Sequence, residues 1–192
     1  MVHRAKARLP ADLPHLAARI RRCTWCDLAD ARTHAVPGEG PRAARVFLLG
    51  EAPGRREDAA GRPFQGAAGR VLEDALDRAR LPRNRAFITN AVKCRPPENR
   101  RPRSTELETC RPYLLAQLAA VRPRVVVALG ETALRDLLGR SASLAAHRGT
   151  WSDFCGRPVL ATYHPAAVLY NRRLFPVLVA DLRRARRRAE AA

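Results

Sequence analysis

Five cysteines stand in this chain, at positions 23, 26, 94, 110 and 155. Cys23-Thr24-Trp25-Cys26 is a C-x-x-C pair, and two sulfurs at that spacing either share a metal centre or form a redox dithiol. The odd count, and the lack of an apolar leader in the basic stretch Met1–Pro10, argue against a disulfide framework. A thioredoxin-like dithiol needs a strand-to-helix junction inside a βαβ unit. This pair precedes the first convincing strand, so metal ligation is the better reading.

A second set of residues is polar and punctuates apolar runs. Glu51 follows Arg45-Val46-Phe47-Leu48-Leu49-Gly50, Asn90 follows Ala86-Phe87-Ile88-Thr89, and His164 follows Pro158 to Tyr163. A solvated loop carboxylate is the plain alternative for Glu51, a loop cap for Asn90 and a satisfied core histidine for His164. Yet an amide offers donor and acceptor together, as reading a base edge requires. A histidine at a strand end is suited to donating a hydrogen bond to developing negative charge. Phe64, in the glycine-flanked stretch Gly61 to Gly66, is either a core anchor or a stacking platform for a base.

The elements around these residues alternate. Strands are predicted at 45–49, 86–89, 124–129 and 158–163, and a β segment near 149–154. Helices are predicted at 13–22, 70–80, from a Thr105/Glu108 capping box to about 121, at 131–138, and at the C-terminus. That alternation implies one α/β domain over 1–192, in three α/β/α layers around a four-stranded parallel central sheet. It leaves room for a flexible 1–19 and a basic tail from 183. In such sheets ligands bind beyond the carboxyl ends of the strands. That rule picks out Gly50 to Gly54, Asn90 and His164-Pro165.

Lys plus Arg number 36 against 18 Asp plus Glu, a formal net charge of +18 in 192 residues. Arginine in place of lysine is expected from a GC-rich genome, but a two-to-one excess of positive charge points to nucleic acid. The 46% hydrophobic content suits a globular core, and no apolar run is long enough to span a membrane. A cytoplasmic protein is expected, acting as a monomer and without membrane partners. No P-loop or G-x-G-x-x-G supports a nucleotide-binding enzyme.

Taken together, these segments carry a resemblance. Gly50-Glu51-Ala52-Pro53-Gly54-Arg55-Arg56-Glu57-Asp58 with Gly61-Arg62-Pro63-Phe64 resembles the first motif of family four uracil-DNA glycosylases. Thr89-Asn90-Ala91-Val92-Lys93-Cys94-Arg95-Pro96-Pro97 is similar to their second signature, and Thr162-Tyr163-His164-Pro165-Ala166 to their His-Pro motif. The match is collinear over about residues 20 to 182.

The resemblance implies a DNA repair glycosylase that flips uracil out of single- or double-stranded DNA and hydrolyses its N-glycosidic bond, leaving an abasic site. It implies a [4Fe–4S] cluster on Cys23, Cys26, Cys94 and Cys110; sulfur chemistry alone would allow zinc at the same four. Cys155 is assigned no role. Phe64 would stack on uracil, Asn90 would read its edge, and backbone at Ala52, where many members carry glycine, would touch the base. Glu57 would shape the pocket near the uracil 5-position. His164 would donate to uracil O2, and Glu51 would orient water and stabilise the sugar cation. Leu169 or Tyr170 would enter the duplex, beside Arg172 and Arg173 on phosphates, unless this segment simply begins the last helix. Two rivals remain. One is a related group that traps uracil-DNA covalently through a histidine, but no histidine lies between Cys94 and Cys110. The other is a non-catalytic zinc-dependent DNA-binding module.

Overall fold

The computed structural model describes residues 9–191. Its helices are α1 (Leu13–Arg21), α2 (Leu28–Ala31), α3 (Arg55–Ala60), α4 (Ala67–Arg78), α5 (Ser104–Val121), α6 (Glu131–Leu138), α7 (Leu144–His147), α8 (Pro165–Tyr170) and α9 (Phe175–Ala191). The strands are β1 (Val46–Gly50), β2 (Ala86–Asn90), β3 (Val125–Leu129), β4 (Trp151–Phe154) and β5 (Arg157–Thr162).

The sheet runs β2-β1-β3-β5-β4. β2, β1, β3 and β5 are the four expected parallel strands, but the sheet has five, because β4 joins antiparallel to the β5 edge. The reason lies in the turn. Cys155 and Gly156 both have positive φ (54° and 74°), the backbone of a two-residue hairpin whose twist matches the strands. The Gly156 N–H donates to Asp153 Oδ1 at 3.0 Å. A cysteine is an unusual occupant of that left-handed position, so the hairpin has no plain sequence signal.

Parallel strands covered on both faces read as continuous apolar runs, and β1, β2 and β3 are buried at every position. Alternate residues still serve different layers. Val46 and Leu48 face α4 and α9, with Leu72, Leu76, Leu178 and Leu182. Phe47 and Leu49 face α5 and α6, with Leu114, Leu118 and Leu134. A third, smaller core holds Leu16 and Ile20 of α1 against Tyr113 of α5 and the cysteines.

One detail differs from expectation. α5 is not capped by Thr105 and Glu108: it starts at Ser104, and Glu106 accepts the Arg103 N–H at 2.7 Å while Arg100 forks onto the same carboxylate. Of the N-terminal stretch, 1–8 lie outside the described residues, and α1 is helical from Leu13, with Asp12 accepting the His15 N–H at 3.0 Å. Among the described residues no helix is long and apolar enough to cross a membrane.

Candidate functional site

β1 lies between β2 and β3, and the chain leaves β1 toward one face of the sheet and β3 toward the other. That divergence opens a crevice at the carboxyl ends, where such sheets bind ligands. A cavity of about 440 Å³ occupies it, lined by Glu51, Ala52, Glu57, Phe64, Asn90, Gly130, Thr132 and His164 among others. The three strand ends picked out by sequence thus meet in one place.

Small residues make the convergence possible. A Cβ on Gly50 would strike Asn90 Oδ1 and sit 2.8 Å from Phe64 Cζ; a Cβ on Gly69 would strike the Phe64 carbonyl. Phe64 itself has φ 54°, a costly conformation for a bulky residue that the surroundings must enforce. Glu57 does so. Its Oε1 accepts the Gln65 and Gly66 N–H groups at 2.6 and 2.8 Å, and its Oε2 the Gly54 N–H at 3.1 Å. The carboxylate therefore ties the turn after β1 to the loop that carries Phe64. The Phe64 ring lies 5.8 Å from the His164 imidazole at 30°.

Asn90 is 2% exposed, yet among the described residues its carboxamide makes no hydrogen bond with the protein, so donor and acceptor are both left for a ligand. Its backbone is held firmly. The buried Lys93 ammonium donates to the Asn90 carbonyl at 2.5 Å and to Thr89 Oγ1 at 2.9 Å. Burial lowers the Lys93 pKa to about 8.

His164 begins α8, and its Nδ1 accepts the Ala166 N–H at 3.1 Å. An acceptor at Nδ1 puts the ring proton of a neutral imidazole on Nε2. Burial among the cavity walls, only partly offset by the Glu57 charge, lowers its pKa to about 4. Near neutral pH the cavity therefore holds an uncharged N–H donor. On the β3 side, the Thr132 hydroxyl donates to Glu51 Oε2. Gly130, at φ +90°, lets the chain pass close to His164.

The rim is basic, but not all of its arginines are free. Arg62 pairs with Glu39 at 2.8 Å and Arg100 with Glu106 at 2.7 Å. Arg172 and Arg173 are exposed on the short turn after α8 and have no ion pair among the described residues. Leu169 is 46% and Tyr170 92% exposed. They end α8 rather than begin α9, and they do not face the core.

Apart from the cavity, Cys23 and Cys26 lie between α1 and α2, Cys94 in the loop after β2, and Cys110 in α5. All four line one small pocket with Trp25, Arg32, Lys93 and Tyr113. Cys155 is exposed in the β4–β5 turn. Arg32 Nη1 donates to Cys94 Sγ at 3.0 Å, and Trp25 stacks on Tyr113 at 4.6 Å. Burial raises the pKa of Cys26 and Cys94 and pushes Cys110 up to about 12. The Tyr113 hydroxyl is buried there without a hydrogen-bond partner. Among the described residues no group of His, Cys, Asp or Glu is arranged to hold a single metal ion. Four thiols around one pocket, with an arginine aimed at sulfur, fit a thiolate-ligated metal centre.

Sequence reasoning missed Thr132, Gly130 and Lys93. The signal for the first two was available: applied to the third strand, the strand-end rule points to Gly130-Glu131-Thr132. For Lys93 there was none, since a lysine in an arginine-rich loop reads as surface.

Comparisons with known proteins give the family. A family model described as uracil DNA glycosylase superfamily matches residues 37–186. A type-4 uracil-DNA glycosylase of Pyrobaculum aerophilum is 47% identical over 168 residues, covering 82% of this chain and 85% of that protein. A type-4 uracil-DNA glycosylase of Thermotoga maritima is 40% identical, covering 89% and 91%. A type-5 uracil-DNA glycosylase of Pyrobaculum aerophilum is 37% identical, covering 71% and 67%.

Proposed function

The chain belongs to the uracil-DNA glycosylase superfamily, in its type-4 group, and on that premise we propose how its cavity removes the base. The protein is a DNA repair enzyme that takes uracil from DNA by hydrolysing the N-glycosyl bond. One observation carries the assignment of residues: Glu51, Phe64, Asn90 and His164 leave different segments and line the same cavity.

A base inside a duplex is out of reach, so the nucleotide flips into the cavity. Phe64 stacks on the ring from a backbone pinned by Glu57, with the Ala52 backbone beside it. Asn90 donates to and accepts from the uracil edge, a pairing that cytosine, with donor and acceptor exchanged, does not match. Glu57 shapes the pocket near the 5-position through the turns it fixes.

Breaking the bond between C1′ and N1 leaves positive charge on the sugar and negative charge on uracil. The neutral His164 donates from Nε2 to uracil O2 and stabilises the negative charge left on the base, without giving away its proton. Glu51, steadied by Thr132, lies across the cavity to orient water and face the sugar cation. Tyr170 and Leu169 fill the space the base vacates, and Arg172 and Arg173 contact phosphates.

Cys23, Cys26, Cys94 and Cys110 would hold a [4Fe–4S] cluster, which when bound supplies iron–thiolate bonds that cross-link α1, the loop after β2 and α5. The four-thiol donor set around one pocket, together with the family's likeness, supports that reading.

The test is to incubate the protein with oligonucleotides carrying one uracil, thymine or cytosine and then treat them with alkali. Strand breaks at uracil alone are expected. Breaks at none of the three, or a protein–DNA adduct that survives denaturation, would overturn the reading.

A further inference from the structure

α9 keeps its charge on one side. Arg183, Arg184, Arg187 and Arg188 are all exposed, at i, i+1, i+4 and i+5, while Leu178, Leu182 and Ala185 are buried against the sheet. Three of the four guanidiniums are held in place. Arg183 donates from Nε and Nη2 to the Arg78 carbonyl at 3.1 and 2.8 Å, and Arg184 to the Gly149 carbonyl at 3.0 Å. Arg184 and Arg188 lie over the Trp151 ring at 5.9 and 4.6 Å. Carbonyls and an indole fix a guanidinium without cancelling its charge. The helix's own acids are taken elsewhere, Asp181 by Thr162 and Arg148 and Glu190 by Arg186. The result is an ordered row of like charges that repel one another, an arrangement a polyanion would stabilise.

The row does not open on the cavity. Asp181 bonds Thr162, at the carboxyl end of β5, whereas the Ala189 carbonyl accepts from Arg124, which precedes β3 at the amino end. α9 therefore descends the flank of the sheet, and Arg188 lies about 10 Å of helix rise below Asp181. DNA is stiff over such lengths, with a persistence length of about 150 bp. A straight duplex on the rim would have to bend to follow α9 toward the amino end of the sheet.

We infer that the arginine row of α9 is a second DNA-binding surface, which grips a neighbouring duplex segment by its phosphates while the cavity inspects another. This rests on the proposed action on DNA. It gives the enzyme a way to pass between segments without full release.

The test uses the full chain and an Arg184→Gln, Arg187→Gln, Arg188→Gln variant. Arg187→Glu is the second variant, since that side chain makes no hydrogen bond or ion pair among the described residues. The readouts are fluorescence anisotropy on a long duplex across a salt series, retention of a labelled duplex by protein already bound to bead-linked duplex, and uracil release from a short single strand that covers only the cavity. Each phosphate contact contributes about −0.9 to the slope of log affinity against log salt. The triple variant is expected to flatten the slope by up to about three units on that rule, and to lose retention of the second duplex. It should release uracil from the short strand at the wild-type rate. An unchanged slope would overturn the proposal. So would a flattened slope with full retention, which puts the row on the same segment as the cavity. If the wild type bridges duplexes but releases no uracil, the glycosylase reading fails and the row stands.

Discussion

In the cavity at the carboxyl end of the sheet, the two acids and the histidine are held by other parts of the same chain. Glu57 is held by three backbone N–H groups, Glu51 by the Thr132 hydroxyl, and His164 by the Ala166 N–H. In the cysteine corner, by contrast, the Tyr113 hydroxyl lacks a partner and burial drives the Cys26, Cys94 and Cys110 thiols toward their neutral form. The cavity is organised by the fold itself. The corner is organised for something the fold must acquire. Substitutions in the first should therefore cost rate and spare stability, and substitutions in the second should do the reverse.

The sharpest separation comes from Glu51→Ala. Removing a group aimed at charge in the transition state is expected to slow single-turnover uracil release about 100- to 1000-fold, with an unchanged thermal melt. A melt that falls together with the rate would erase the distinction. Cys110→Ser should do the opposite. Iron content and brown colour are lost and the melting temperature drops by several degrees, roughly 2–4 °C per kcal/mol in a chain of this size. Cys155→Ser, in an exposed turn, should leave iron, colour and melt as they are. Loss of iron in Cys155→Ser, with Cys110→Ser intact, would reverse the ligand assignment.

A smaller effect tests the hold on Glu51. Thr132→Ala is expected to slow release about tenfold, near the worth of one hydrogen bond to a charged group, with kcat affected and KM little changed. Thr132→Ser, which keeps the hydroxyl, should restore most of the rate. Equal losses in both would mean that Thr132 acts only through packing.

The smallest effect is a matter of pH. The fold favours neutral His164, so its contribution to stability is complete above the ordinary histidine value of 6.5. It is lost as the pH falls from there through about 4. Nitrogen NMR of histidine-labelled protein should place the His164 midpoint near 4, with the proton on Nε2 above it. A midpoint near 6.5 would show an imidazole that the cavity does not enclose.

Much of this was legible in the sequence. Apolar runs ending in Gly50, Asn90, Gly130 and His164 located four parallel strands and most of the cavity, because buried parallel strands have a plain signature and ligands gather at their carboxyl ends. The β segment near 149–154 was legible, but its antiparallel place in the sheet was not, because its hairpin turns on a cysteine with positive φ. Thr132 lay within reach of the strand-end rule, but its tie to Glu51 did not, because a threonine opening a helix carries no mark of the distant carboxylate it meets. Glu57 was expected at the pocket, but only the folded chain brings Gly54, Gln65 and Gly66 round one carboxylate. The duplex-facing reading of Leu169 and Tyr170 gains support from their exposure, which periodicity alone could not separate from the start of a core helix.

The central claim is that a neutral imidazole in this cavity stabilises the negative charge of departing uracil. Single-turnover uracil release by His164→Ala at neutral pH tests it most directly. The account predicts a rate about 100- to 1000-fold below wild type, with unchanged binding of uracil-containing DNA and an unchanged circular-dichroism spectrum. A wild-type rate in a correctly folded His164→Ala protein would contradict it.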